Sequence, residues 1–413
     1  MRIGSPVASR EGGALVLRAK VVSDGAEEEC FYSMPEAFAE FADTQSSNCF
    51  LAGLLYPAMR RGEDLHVGGT VSEKLLFNVN EFLVPLMAEC DPRITRIAVT
   101  ADATDSQGCP GARAVGTGFS GGVDSFFTIQ ERFARPVPEG FRLTHLFFFN
   151  VGAHGIPKGP GDEERIAAKF RARYAKLRAF PDEIGLPFVP VDSNVHRFHP
   201  WGHLETATLA TASAVLFLQR GIHRYYLASA GHPHRHLWRF LGEGRRPDDI
   251  AFLNPLLLPW LSTETTDFID DGTAFDRSRK TEAISTYGPA TRHLNVCGNA
   301  DTIDTNCSVC PKCCRTMLTL ELLGRLGDFS GVFDIARYRR EARRLYIAQV
   351  LVNRARDPFN DHLLDLARER GVDLRREVNA LDLFRARLLD GRLHTFIRNN
   401  RLLKKAAKKF FRP

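Results

Sequence analysis

The stretch Ala114-Val115-Gly116-Thr117-Gly118-Phe119-Ser120-Gly121-Gly122-Val123-Asp124-Ser125 decides how this chain folds. Its first six residues read as a short buried strand, and residues 126–133 continue as a helix. Between them stands a Ser/Gly turn. Working outward, THLFFFNV at 144–151 is an apolar run of strand length, followed by an amphipathic helix over 163–180. A third strand is predicted at 186–191, a helix rich in Ala and Thr at 203–220, and a fourth strand at 223–230. Strands alternating with helices through short connections predict an α/β fold with a doubly wound parallel sheet. Ligands of such sheets sit beyond the carboxyl ends of the strands.

The hexapeptide Ser120-Gly121-Gly122-Val123-Asp124-Ser125 therefore falls where a ligand is expected. Two glycines let the backbone curl so that successive N–H groups face one concavity, which suits an anion. A helix starting at that point adds its amino-terminal amides. Ser120 and Ser125 add hydroxyl donors, and Asp124 has the chemistry to hold Mg²⁺ on phosphate oxygens. The spacing is not that of a Walker loop, and no lysine follows the glycines.

Five of the nine cysteines crowd between Cys297 and Cys314. Cys297-x9-Cys307-x2-Cys310-x2-Cys313 supplies four thiolates at a spacing that suits a tetrahedral zinc site, closed and structural. An iron–sulfur cluster, a redox pair and unrelated buried cysteines compete with zinc. Cys314 is the fifth and is expected to pack into the helix that follows. Two further stretches carry polar groups. His232, His234 and His236 alternate, which in an extended segment would put them on one side for a metal or a phosphate rim. In 262–272, Glu264, Asp267, Asp270 and Asp271 are candidate acceptors for a substrate's hydrogen bonds, Glu264 or Asp267 being preferred, and a solvated acidic loop is the competing reading.

The loop resembles the signature of the PP-loop ATP pyrophosphatases, the N-type family that includes GMP synthetase, NAD synthetase and tRNA-lysidine synthase. Loop and cysteines together, in this order, resemble one branch, the 7-cyano-7-deazaguanine synthases, which carry Ser-Gly-Gly-x-Asp-Ser and a C-x8-C-x2-C-x2-C zinc site. Here the first cysteine gap is one residue longer, Arg315 follows the cysteines, and Lys280-Thr281-Glu282-Ala283-Ile284 is similar to the family's stretch before the metal. The resemblance implies an adenine nucleotide alpha hydrolase-like sheet and cleavage of ATP to AMP and pyrophosphate. It also implies adenylation of a 7-deazaguanine carboxylate and attack by ammonia, giving amide and then nitrile. Under it Ser120 to Ser125, including Val123, hold the phosphates with Mg²⁺. Asn150 and Val151 lie at the adenine, and Gly231 faces the α-phosphate or the substrate. Asp124, Ser125 and Lys280 carry the catalysis, and Cys297, Cys307, Cys310 and Cys313 hold Zn²⁺. The family's Tyr-Pro-Asp-Cys-type substrate segment is absent. Domain-extended homologues resemble proteins of bacterial anti-phage operons, where the acyl acceptor would be an amine of a partner protein. A tRNA-modifying PP-loop enzyme, thiolating or amidating, is the alternative.

Outside residues 111–326 the resemblance stops. Residues 1–110 read as an α+β unit of their own, with strands at 15–22 and 94–100, helices at 35–41 and 73–87, and a linker at 102–111. Residues 327–413 read as helical and basic. The chain holds 55 Lys+Arg and 49 Asp+Glu for a net +6, yet residues 331–413 alone hold 21 basic and 10 acidic residues. A body of net −5 thus precedes an end of net +11. The end finishes in a predicted amphipathic helix over 392–411, from Arg392 to Lys409 without an acidic residue. Nucleic-acid phosphates, an acidic partner protein, and packing on the body compete as its use. With 44% hydrophobic residues the composition is that of a globular chain, and collagen-like, low-complexity and disulfide-scaffold classes are excluded. No run approaches the ~18 apolar residues of a membrane span, and the opening MRIGSPVASREGG has no apolar core of a signal peptide. A cytoplasmic protein is expected.

Overall fold

A computed structural model describes residues 1–243, 249–298, 305–354 and 357–390. The chain divides into two compact units, one of residues 1–120 and 128–274, the other of residues 121–127 and 275–413.

The first unit is α/β and is built on an eleven-stranded sheet. Its strands are β1 (Arg2–Ile3), β2 (Val7–Glu11), β3 (Ala14–Ser23), β4 (Ala26–Pro35), β5 (Leu65–Ser72), β6 (Val99–Asp105), β7 (Ala114–Gly118), β8 (His145–Asn150), β9 (Phe188–Ser193), β10 (Ile222–Ala228) and β11 (Asp267–Asp271). The order is β11-β10-β7-β8-β9-β4-β3-β1-β5-β6, with β2 paired to β3. Pairings from β7 to β11 are all parallel. Counted from β7, those five strands run in the order 3-2-1-4-5, the doubly wound arrangement, whose switch point falls between β7 and β10. Five of the six β8 residues are buried, as expected of a parallel strand covered on both faces.

The sequence places a unit boundary near residue 110. In the structure the sheet runs on: Tyr32 and Ser33 of β4 pair antiparallel with Ser193 and Asp192 of β9. Asn194 fixes the join from its side chain, accepting from Phe31 N at 2.8 Å and donating to Glu29 O at 2.7 Å. The helix Asn48–Arg61, buried along twelve of its fourteen residues, packs against His203–Phe217. Neither helix presents a clean apolar stripe, because each is covered nearly all round. That is why the sequence shows no sign of the first. The helix expected over 73–87 runs as Glu73–Asn78, a wider turn at Val79–Leu83, and Val84–Cys90. Residues 267–271, read as loop, form the fifth parallel strand.

The second unit is helical. Arg277–Ile284, Pro311–Leu322 and Pro358–Glu369 pack on one another, and Arg343–Val352 packs on Ala380–Asp390. Ile284, Leu294, Met317, Leu318, Leu320, Phe329, Tyr338, Ile347 and Leu363 are buried within it. The helical reading beyond residue 316 holds among the described residues, and the basic helix predicted at 392–411 lies outside them. No helix among the described residues is long and apolar enough to cross a membrane.

Candidate active site and metal centre

The sequence before the loop ends β7 at Gly118, and Phe119 then donates its N–H to Phe147 O at 2.8 Å. Ser120 follows, exposed. Gly121 takes φ +76°, a left-handed conformation that would strain any residue with a β-carbon. The turn then closes on Gly122, whose carbonyl accepts from Phe126 N at 3.1 Å and Ser125 Oγ at 3.0 Å. These bonds start the helix Val123–Ile129. The helix predicted from residue 126 thus begins three residues earlier, because the loop's own Val123 to Ser125 form its first turn.

Within the second unit two cations converge on Asp124. Arg277 Nη2 lies 2.7 Å from Asp124 Oδ2, and Lys280 Nζ lies 3.6 Å from Oδ1. Both come from the helix Arg277–Ile284, where a spacing of three puts them on one face. Asp276 caps that helix by accepting from Arg279 N at 2.9 Å. Lys280 has no exposed surface, and its ammonium sits 5.5 Å from the Phe127 ring centroid. Asp124 Oδ1 is buried and makes no hydrogen bond. Two cations beside the carboxylate at a glycine turn suit the binding of an anion. Arg277 went unnoticed in the sequence; its position three residues before Lys280 was the available signal.

The other expected nucleotide positions lie in the first unit, past the carboxyl ends of its strands. Asn150, at the end of β8 and nearly buried, donates from Nδ2 to Asp192 Oδ1 at 2.7 Å, and its own Oδ1 is buried without a hydrogen bond. Burial pushes the Asp192 carboxyl up. Val151 is buried, so only its backbone is available to a ligand. Gly231, with φ +79°, donates to Ser229 O at 2.7 Å in the turn after β10. Phe147, Phe148 and Phe149 are core: Phe148 stacks on Phe170 with ring centroids 5.3 Å apart. Asp271, one of the four acidic candidates at 262–272, is buried at the end of β11 and takes Arg132 Nη2 at 2.6 Å.

Glu264 has a different employment. Its carboxylate accepts from Ser72 Oγ at 2.5 Å and from Lys74 N at 2.8 Å, at the start of the helix Glu73–Asn78. It is a capping residue for a helix close by in space and distant in sequence. Asp267 lies 3.5 Å from Arg224 Nη2. The three alternating histidines do not share one side of an extended segment, since a helix begins at His234. His232 and His236 are buried and His234 is exposed.

The second unit also gathers the cysteines. The Sγ atoms of Cys297, Cys307, Cys310 and Cys313 all lie within 4.8 Å of one another, with Cys297–Cys310 and Cys307–Cys313 each at 4.0 Å. A tetrahedron with Zn–S bonds of ~2.3 Å has sulfurs about 3.8 Å apart, so the four thiols fit a metal ion such as zinc. Ser308, at φ +62°, turns the chain so that Cys310 N points to Cys307 Sγ at 3.3 Å. Hydrogen bonds from the Cys313 thiol and from the backbone pull the Cys310 thiol down to about 4. Cys314 stays outside, buried in the helix Pro311–Leu322, its thiol pushed up to about 12 by burial.

Asn306 holds the first knuckle in place with four hydrogen bonds. Its Oδ1 accepts from Val296 N at 2.8 Å and Cys297 N at 3.1 Å, while Nδ2 donates to Leu294 O at 2.8 Å and Val332 O at 3.0 Å. The strap so held reaches the Ser/Gly loop, since Asn295 N donates to Gly121 O. Two guanidinium groups lie over the Phe359 ring, Arg315 at 4.2 Å and Arg277 at 5.2 Å from its centroid.

Against protein-family models, curated proteins and solved structures, the chain finds no match.

Proposed function

We propose that this chain is an AMP- and pyrophosphate-forming ligase of the PP-loop type, resembling 7-cyano-7-deazaguanine synthase, which adenylates a carboxylate and passes the acyl group to an amine. The observation that carries the reading is the convergence of Arg277 and the fully buried Lys280 on Asp124 of the Ser/Gly loop. A cation pair preset at a glycine turn is what stabilises charge on a departing pyrophosphate. The doubly wound strand order supports it, because the loop leaves the strand at the switch point.

In this reading a carboxylate oxygen attacks the α-phosphorus, and the bond to the pyrophosphate oxygen breaks. An amine then attacks the acyl carbon, loses a proton and expels AMP. Gly121 and Gly122 give the phosphates close access to backbone N–H groups, and the hydroxyls of Ser120 and Ser125 are the side-chain donors nearest in sequence. Lys280 and Arg277 take up the developing negative charge. Asp124 orients both cations, and it is the residue that would hold a Mg²⁺ carried with the nucleotide, which would supply further charge neutralisation at the phosphates. Zinc on the four cysteines would be structural. Asn150 and Gly231 are the residues that the resemblance assigns to the adenine and to the substrate.

The test is an ATP assay with 7-carboxy-7-deazaguanine, alone and with ammonia, protein amines or tRNA. AMP and pyrophosphate are expected in equal amounts and only with a competent acid. ADP as product, or AMP formation independent of any acid, overturns the proposal. Turnover that requires tRNA moves the reading to a tRNA-modifying enzyme.

A further inference from the structure

The helix Arg277–Ile284 carries cations where a helix tolerates them least. Arg277, Arg279 and Lys280 stand among its first four residues, against the positive end of its dipole. A local rule broken in this way is characteristic of functional positions. Arg279 pairs with Glu282 and Glu369, whereas Arg277 and Lys280 both turn to Asp124. Asp124 takes one nitrogen of Arg277, Nη2, at 2.7 Å. A guanidinium also has a flat face, which aromatic rings suit. The Arg277 guanidinium carbon stands 5.2 Å over the Phe359 ring centroid.

The ring is itself held in place. Phe359 is the second residue of the helix Pro358–Glu369, whose cap Asp357 accepts from Phe359 N at 2.9 Å. The same carboxylate accepts from Arg315 Nη2 at 2.9 Å, and Arg315 stands 4.2 Å over the ring. His362, three residues on, meets the ring edge-on with centroids 6.1 Å apart. Cap, ring and second guanidinium thus form one piece, on which Arg277 rests. All of these groups belong to the second unit, together with Asp124 and the two glycines of the loop. The Arg277 and Asp124 side chains are each only 20% exposed, so water weakens the ring contact less than it would at a surface.

We infer that Phe359 is a positioning residue of the anion site: its π-face holds the Arg277 guanidinium beside Asp124, turned to meet the pyrophosphate end of the nucleotide. The identity of that anion rests on the ligase reading; the hold of the ring on Arg277 does not. The ring acts through its electrons and not through its bulk, so an aliphatic side chain of similar size cannot replace it.

Magnesium pyrophosphate is the probe, titrated by calorimetry into the full chain. Phe359→Leu should weaken its binding by roughly three- to thirtyfold, the range of one cation–π contact. Phe359→Tyr, which keeps the π-face, should stay within about twofold of the parent. Arg277→Gln should weaken binding by about tenfold or more, and Phe359→Leu should add nothing in that background. A second readout needs no ligand. In the chain with ¹⁵N-labelled arginines, the Arg277 Nε–H signal is identified by its loss in Arg277→Gln. It should move in Phe359→Leu and stay near the parent position in Phe359→Tyr. The inference is overturned if the leucine and tyrosine variants bind pyrophosphate alike, or if Phe359→Leu costs as much beside Arg277→Gln as in the parent. It is equally overturned if the Arg277 signal ignores the leucine change. A parent that binds no pyrophosphate overturns the ligase reading instead, and the Arg277 signal then decides the role of Phe359.

Discussion

The main-chain N–H of Asn295 donates a 2.7 Å hydrogen bond to the carbonyl of Gly121. Asn295 stands two residues before Cys297, the first cysteine of the cluster, and Gly121 is the left-handed glycine of the Ser/Gly loop. The cysteine centre and the loop are thus joined by one strap, and Asn306 clamps both sides of it. Asn306→Ala removes four hydrogen bonds to buried backbone groups and should cost roughly 2–4 kcal/mol in urea denaturation. If the strap positions the loop, the same variant raises KM for ATP more than it lowers kcat.

Metal content follows from the sulfur geometry. The purified chain should carry one zinc by elemental analysis, colourless in air. Cys310→Ser should lose it, whereas Cys314→Ser should retain it, because Cys314 is buried in the helix and outside the sulfur cluster. Stripping the metal with a chelator should lower the melting temperature, since binding energy of a closed site is folding energy. A brown, oxygen-labile preparation would replace zinc with an iron–sulfur cluster.

Lys280 and Asp124 should be coupled in stability as well as in turnover. Asp124→Asn leaves two cations beside a neutral amide, one of them fully buried, and should destabilise by roughly 3 kcal/mol. Adding Lys280→Met should recover much of that stability, since methionine fills a similar volume without a charge. Both single variants should lose AMP formation by on the order of 10²–10³-fold. Additive destabilisation in the double variant would break the coupling.

Glu264→Ala separates capping from substrate binding. Loss of its bonds to Ser72 and to Lys74 N should cost about 1 kcal/mol, measured by denaturation, with ATP turnover unchanged. A large rise in the KM of the acid would return Glu264 to the substrate site.

Three buried imidazoles of the first unit give a pH signature. Burial pushes His154 and His199 down to about 3 and His196 down to about 4. Unfolded, each would titrate near 6.5. As pH falls below 6.5 the unfolded chain takes up protons that the folded chain refuses, so stability declines toward pH 4. The slope approaches about 1.4 kcal/mol per pH unit for each imidazole. Asp192, raised by burial, opposes this by one group. Denaturation midpoints that stay flat between pH 7 and 5 would contradict these burials.

What the sequence revealed follows its periodicity. The apolar run at 144–151 and the alternation around it located β7 to β10, because parallel strands buried on both faces announce themselves. Lys280 was singled out only by the resemblance of its stretch to that of a known family, whereas the four clustered cysteines were legible from spacing. Three kinds of information were not. Helix Asn48–Arg61 is apolar all round and has no stripe to read. Arg277, Asp271 and Asn306 act through partners distant in the chain. Strand β11, with Asp267, Asp270 and Asp271 among its five residues, looks like an acidic loop until β10 is seen to pair with it.

The pairing of β4 with β9 bears on how this chain can be handled. Without residues 1–110, β9 would end the sheet with a bare row of peptide groups, and the face of His203–Phe217 now covered by Asn48–Arg61 would meet water. Exposed edges of this kind recruit other chains. A fragment starting at Arg113 contains every motif of the proposed chemistry, yet it should stick to itself rather than work. The N-terminal quarter is best regarded as the closing plank of the sheet, to be kept in any experiment on the loop.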